Sequence, residues 1–193
     1  PADLAGLVLA IKNVASVPPG TEVTVEANPG TVSGEGLAQL LAAGVNRLSL
    51  GAQSGNNRFL KLLGRGHTTA DVERTVAIAR QVGFTNINLD LIFGLPGETP
   101  DDWRRTIQWA TALHPEHLSC YGLQLERGTP LFRMVQAGRL RLPEEEEVSA
   151  MFLTNTTLLP DTGYDQYEIS NFACRPRAGT GKAVTEGEVD YRC

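Results

Sequence analysis

Hydrophobic and polar positions change rhythm along this chain, and each rhythm names an element. Leu4, Leu7, Val8 and Ile11 recur at helical spacing, which predicts a helix over residues 3–16 with one apolar face. Residues 22–28 (EVTVEAN) then alternate with period two between Pro18-Pro19-Gly20 and Pro29-Gly30, the mark of a strand. The helical period returns over 33–43, with Ser33 as cap and Gly44 as stop. Further strands are predicted over 46–51, 85–93 and 116–125, and further helices over 56–63, 69–82, 100–113, 130–138 and 144–159. Gly83 stops the 69–82 helix; Thr99 caps the 100–113 helix, with Pro100 at its first position. One more strand is expected over 164–169.

Strands alternating with helices imply βα units and a parallel sheet. Parallel strands covered on both faces usually read as continuous apolar runs. These do not. Val23, Val25 and Ala27 oppose Glu22, Thr24, Glu26 and Asn28; Leu48 and Leu50 oppose Arg47, Ser49 and Gln53. Ile87, Leu89, Leu91 and Phe93 oppose Asn86, Asn88 and Asp90; Leu118, Cys120 and Gly122 oppose His117, Ser119 and Tyr121. Burying such polar rows unpaired costs about 1–3 kcal/mol per group. A sheet curved around a polar cavity avoids that cost; a sheet with one face open to solvent is the plainer alternative. In open and closed α/β sheets, ligands bind at the carboxyl ends of the strands, where Glu26, Gln53 and Asp90 fall. Taken singly, each also has a plain structural reading, as a salt-bridged carboxylate, a solvated amide and a turn cap.

Composition narrows the classes. The chain has 193 residues, 41% apolar and 20% charged, with a net charge of -5. That balance argues against non-specific nucleic-acid binding, and no apolar run reaches the ~20 residues of a membrane span. Cys120, Cys174 and Cys193 lack the C-x2-C or C-x3-C spacing of a metal site, and their scarcity points to a reducing compartment, the cytoplasm. The chain starts with Pro1 rather than Met, which is expected of a fragment or a processed product. The run of Glu144 to Glu147 reads as a solvated helix start favoured by the helix dipole.

Several longer stretches carry more. Glu26-Ala27-Asn28-Pro29-Gly30-Thr31, the run from Gly44 to Ser54 (GVNRLSLGAQS), Leu63-Gly64-Arg65-Gly66-His67, the run from Asn86 to Thr99 (NINLDLIFGLPGET), Leu118 to Leu123 (LSCYGL) and Gly163 to Ala173 (GYDQYEISNFA) occur in this order. Together they resemble radical S-adenosylmethionine proteins related to oxygen-independent coproporphyrinogen III oxidase, and most resemble its HemW-type haem-chaperone branch. The resemblance covers nearly all of residues 1–173.

The resemblance implies a partial (β/α)6-type barrel with about four strands retained, a polar lumen and helices outside. It implies one domain over 1–173 with its following helices, then a divergent, disordered tail over 174–193. For function it implies a fragment of a haem chaperone that, at full length, binds haem, S-adenosylmethionine and a 4Fe-4S cluster and hands haem to acceptor proteins. A fragment of the porphyrin-forming dehydrogenase is the alternative, and an unrelated barrel enzyme or binding module is the remote one. The resemblance places Glu26 against one S-adenosylmethionine, and Gln53, Arg65 and Asp90 against a second, with Gln124 beside that second ligand through its backbone. A carboxylate suits an ammonium or ribose hydroxyls, and an arginine suits a carboxylate; a surface salt bridge is the plain reading of Arg65. His67 reads as a loop hydrogen-bonder rather than a haem ligand. The family's C-x3-C-x2-C cluster loop has no counterpart in this chain, so cleavage of S-adenosylmethionine is not expected of it alone. After Ala173 the Gly-rich run departs from the branch's pattern, which suggests a shifted reading frame or a truncated gene.

Overall fold

The computed structural model describes residues 1–176. It divides into two compact units, Pro1–Leu91 and Ile92 onward. Most of the tail expected over 174–193 lies outside the described residues. Cys174, its first residue, ends a strand, and its N–H donates to Glu116 O at 2.8 Å.

The first unit runs α1 (Ala2–Val14), β1 (Thr24–Ala27), α2 (Gly34–Ala43), β2 (Arg47–Gln53), α3 (Asn57–Leu62), α4 (Thr69–Val82) and most of β3 (Ile87–Phe93). β1 pairs parallel with β2, and β2 with β3, as the βα order predicts. Local signals set the helix ends. Ser33 Oγ accepts from Gly36 N, and Gly44, at φ 94°, turns the chain out of α2. Thr68 and Asp71 close a reciprocal capping box at the start of α4. The strands' apolar rows form the core: Leu48, Leu50, Ile87, Leu89 and Leu91 are buried with Leu37, Leu40, Phe59 and Val72.

Two features depart from simple periodicity. Leu4, Leu7 and Ile11 of α1 are 45%, 55% and 49% exposed, so the apolar face expected over 3–16 is largely uncovered. Among the described residues, α1 instead lies against α2 through buried Ala5 and through Lys12, whose ammonium donates to Ala43 O at 3.0 Å. The second departure is in β2. Leu50 faces Leu89 but Gln53 faces Leu91, so β2 carries one extra residue. Such a bulge re-aims the end of a strand. Gln53 ends it at φ 65°, the left-handed region that non-glycine residues seldom enter.

The second unit holds α5 (Pro100–Ala112), β4 (His117–Gly122), α6 (Pro130–Gln136), α7 (Glu145–Asp161), β5 (Tyr164–Gln166) and β6 (Asn171–Cys174). β4 pairs antiparallel with β6, and β6 antiparallel with β5. The single strand expected over 164–169 is therefore a hairpin. Glu168 turns it: its Oε2 accepts from Ser170 N at 3.0 Å and Asn171 Nδ2 at 2.8 Å. The core centres on Trp103, fully buried, 5.3 Å from the Phe93 ring, with Nε1 donating to Asn155 Oδ1 at 2.9 Å. Tyr164 OH donates to Pro115 O at 2.7 Å. The polar row expected on β4 is mostly enclosed: His117 and Ser119 are buried, and His117 Nε2 meets Tyr167 OH at 2.7 Å.

Candidate functional site

In the first unit, parallel register aligns the polar rows. Glu26 stands beside Ser49, and Ser49 beside Asn88. Ser49 and Asn88 are 5% and 2% exposed, and they bond to one another rather than to solvent. Asn88 Nδ2 donates to Ser49 Oγ at 2.7 Å and to Asp90 Oδ1 at 2.9 Å; Ser49 Oγ donates to Asp90 Oδ2 at 2.9 Å. Both oxygens of Asp90 are thus held from behind, which fixes the carboxylate at the end of β3.

A partly open cavity of about 500 Å³ lies at these strand ends, within the usual range for ligand pockets. Glu26, Asn28, Gly51, Gln53, Arg65 and Asp90 line it, with Pro1, Leu4, Val25, Val32 and Leu40 as apolar wall. Four of the five residues implied by the family resemblance, Glu26, Gln53, Arg65 and Asp90, come together here from β1, β2, the α3–α4 loop and β3. Gln124, the fifth, is exposed in the second unit, on the loop after β4.

Local structure explains each placement. Gly64 at φ 68° ends the α3 turn, its N–H returning to Lys61 O at 3.1 Å and that of Arg65 to Leu60 O at 2.9 Å. This paired closure of a helix end fixes the direction in which Arg65 leaves. His67, buried on the same loop, has Nε2 3.4 Å from Ala52 O. Gln53 is only 7% exposed, yet its side-chain amide bonds to no described residue. The amide is not among the polar atoms sealed from solvent, so it reaches the open cavity, where water or a ligand can complete it. Gly51 makes room for that amide: a Cβ there would lie 2.8 Å from Gln53 Nε2. The carboxylate of Glu26, on the exposed face of β1, likewise receives no hydrogen bond from any described residue.

Asn28 is the lining residue that the resemblance did not single out. Its signal was present in the alternation, which put it on the face of Glu26. Arg65 Nη1 donates to Asn28 Oδ1 at 3.0 Å.

Another unusual carboxyl lies in the second unit. Glu98 is 2% exposed, and its Oε2 accepts from Leu95 N at 3.0 Å while Oε1 has no partner. Burial pushes its pKa up to about 7, against the N–H groups of Leu95 and Gly94 that favour the charged form, and the nearby Asp102 carboxylate adds to the rise. It fastens the Gly94-Leu95-Pro96-Gly97 turn. Among the described residues no three His, Cys, Asp or Glu side chains come together to hold a metal. No described helix is long and apolar enough to cross a membrane.

The pattern of the Radical SAM superfamily matches residues 1–110. The radical S-adenosyl methionine domain-containing protein 1, mitochondrial, of Bos taurus is 42% identical over 173 residues, 90% of this chain and 39% of that protein. The heme chaperone HemW of Bacillus subtilis is 44% identical over 153 residues, 79% of this chain and 40% of that protein. Among solved structures, coproporphyrinogen III oxidase (HemN) from Escherichia coli, a radical SAM enzyme, superposes with a TM-score of 0.77 at 26% identity, covering 90% of this chain and 40% of that one. That likeness supports the α/β partial-barrel class. The chain spans about two-fifths of the length of the curated relatives it matches.

Proposed function

Given that the chain belongs to the Radical SAM superfamily, we propose that it is the S-adenosylmethionine-holding part of a haem chaperone. In its full-length form that chaperone also carries a 4Fe-4S cluster and passes haem to an acceptor protein. The observation that carries this reading is the meeting of Glu26, Gln53, Arg65 and Asp90 at one cavity. Bound S-adenosylmethionine would supply a sulfonium centre that a cluster can reduce. The described residues do not fit a cluster, so the role proposed for this chain is binding and orientation. Arg65 offers a planar fork for a carboxylate. Asp90, steadied by Ser49 and Asn88, offers acceptors to an ammonium or to ribose hydroxyls. Gln53 offers a donor and an acceptor at the cavity wall.

Haem chaperones named HemW match at 34–44% identity, against 26% for the coproporphyrinogen III oxidase structure. That contrast favours the chaperone over the dehydrogenase. The cytoplasm is the proposed location; the animal relatives are named as mitochondrial.

Calorimetric titration of the chain with S-adenosylmethionine tests the proposal. Saturable binding is expected, weakened about tenfold or more in Arg65→Ala and in Asp90→Ala, the scale of a lost charge-assisted hydrogen bond. Absence of saturable binding sinks it. Haem retention by the full-length protein, compared with vinyl formation from a porphyrinogen, separates the chaperone from the dehydrogenase.

A further inference from the structure

The cavity contains a contact that the family resemblance does not assign. Asn28 follows β1 and opens the turn Asn28-Pro29-Gly30-Thr31. Thr31 N donates to Asn28 O at 3.2 Å, Gly30 has φ 80°, and Pro29 precedes it, which is a type II turn. Thr31 Oγ1 donates to the same carbonyl at 2.7 Å, and Gly30 N donates to Thr75 Oγ1 at 3.2 Å. The backbone of Asn28 is therefore fixed without help from its side chain, which is free to serve the cavity.

That side chain meets Arg65, 37 residues away in sequence. A guanidinium only donates, so the carboxamide oxygen must face it. The contact occupies Nη1 and leaves the other N–H groups of the fork unassigned by Asn28. Gly51 leaves the space beside this contact open: a Cβ there would stand 3.5 Å from Asn28 Oδ1 as well as 2.8 Å from Gln53 Nε2.

We infer that Asn28 is a positioning residue for the ligand's carboxylate: it holds the Arg65 guanidinium at the cavity through a neutral acceptor that steers the fork without neutralising it. A carboxylate in its place would make the same contact but satisfy the positive charge, in competition with the ligand. An aliphatic residue would leave the long Arg65 side chain to wander. The inference rests on the reading of this cavity as an S-adenosylmethionine site.

The test is titration of the 193-residue chain with S-adenosylmethionine and with its decarboxylated analogue, for wild type, Asn28→Ala, Asn28→Asp, Arg65→Ala and the Asn28→Ala/Arg65→Ala pair. Asn28→Asp is expected to weaken S-adenosylmethionine about tenfold, and Asn28→Ala about threefold, with the decarboxylated analogue changed less than about twofold in both. In the Arg65→Ala background, Asn28→Ala should cost nothing further, the signature of a residue acting through Arg65. Thermal melts accompany each variant, and Asn28→Ala carries the test if Asn28→Asp does not fold. Three outcomes overturn the inference while leaving the site reading standing. They are unchanged binding in both Asn28 variants while Arg65→Ala loses S-adenosylmethionine, equal losses for the two ligands, and a full Asn28→Ala loss that persists without Arg65. If wild type binds neither ligand, the site reading itself falls and takes the inference with it.

Discussion

The two units leave polar side chains unpartnered in different settings. In the second, most buried polar groups are bonded within the fold, Trp103 to Asn155, Tyr164 to Pro115 O and His117 to Tyr167, while Glu98 Oε1 and Asn155 Nδ2 are sealed in without a partner. In the first, Ser49, Asn88 and Asp90 form a network too, but it supports a wall whose front row is unfinished. The amide of Gln53 and the carboxylate of Glu26 have no partner among the described residues. A polar group bonded inside the fold contributes to stability; one left facing an open cavity stays hydrated and can exchange its water for a ligand. The first unit therefore carries the face proposed to meet a ligand, and the polar contacts of the second serve its own core.

The sharpest way to break this contrast is Trp103→Ala. Trp103 is wholly buried, so truncation is expected to cost about 3–5 kcal/mol in urea unfolding. A loss below about 1 kcal/mol would mean that the second unit does not depend on its paired core.

The next effect tests one of the unpartnered groups of the second unit, Glu98. Its pKa stands at about 7 against an ordinary 4.5. The folded state favours the neutral acid, so its contribution is fully present below about pH 4.5 and is lost as pH rises through about 7. The difference corresponds to about 3 kcal/mol. Glu98→Gln, neutral throughout, should flatten that slope in melting temperatures taken from pH 4 to 8, with its gain over wild type largest at the alkaline end. A wild-type-like slope in the variant would rule Glu98 out as its source. Asp71, in the first unit, titrates the other way. The side chain and backbone of Thr68, with Arg74, hold its pKa at about 2, below its ordinary 3.8. Its contribution is present above the ordinary value and is lost as pH falls through about 2.

The smallest effect tests the first unit. Ser49→Ala removes one hydrogen bond from Asp90 and should cost only about 1 kcal/mol of stability. If the network exists to hold Asp90 for a ligand, the same variant should weaken S-adenosylmethionine severalfold. A stability loss with unchanged affinity would make the network purely structural and erase the contrast between the units.

Much of the fold was legible from local chemistry. Ser33, Thr68 and Thr99 accept hydrogen bonds as helix caps, and Gly44 and Gly83 enter the left-handed region where their helices stop. Helices are expected and found within about two residues, because caps and turns act over three or four positions. The candidate site was legible in part: alternation placed Glu26, Gln53 and Asp90 on the polar rows at the strand ends, and Arg65 came with the family motifs. The β5–β6 hairpin was not visible as such, since its turn depends on Glu168 bonding back across the chain reversal. The exposure of α1 was hidden as well: apolar spacing announces a face but not what covers it.

Helix ends, turn residues and the alternation of the strands are properties of neighbouring residues, and the amino-acid order alone determined them. Which polar groups share one cavity was settled only by the tertiary structure. The parallel register set Glu26, Ser49 and Asn88 side by side, the extra residue in β2 turned Gln53 inward, and the closed end of α3 carried Arg65 to Asn28. Each of these contacts joins residues that lie far apart along the chain, and the energy that fixes them comes from burying the apolar rows behind them.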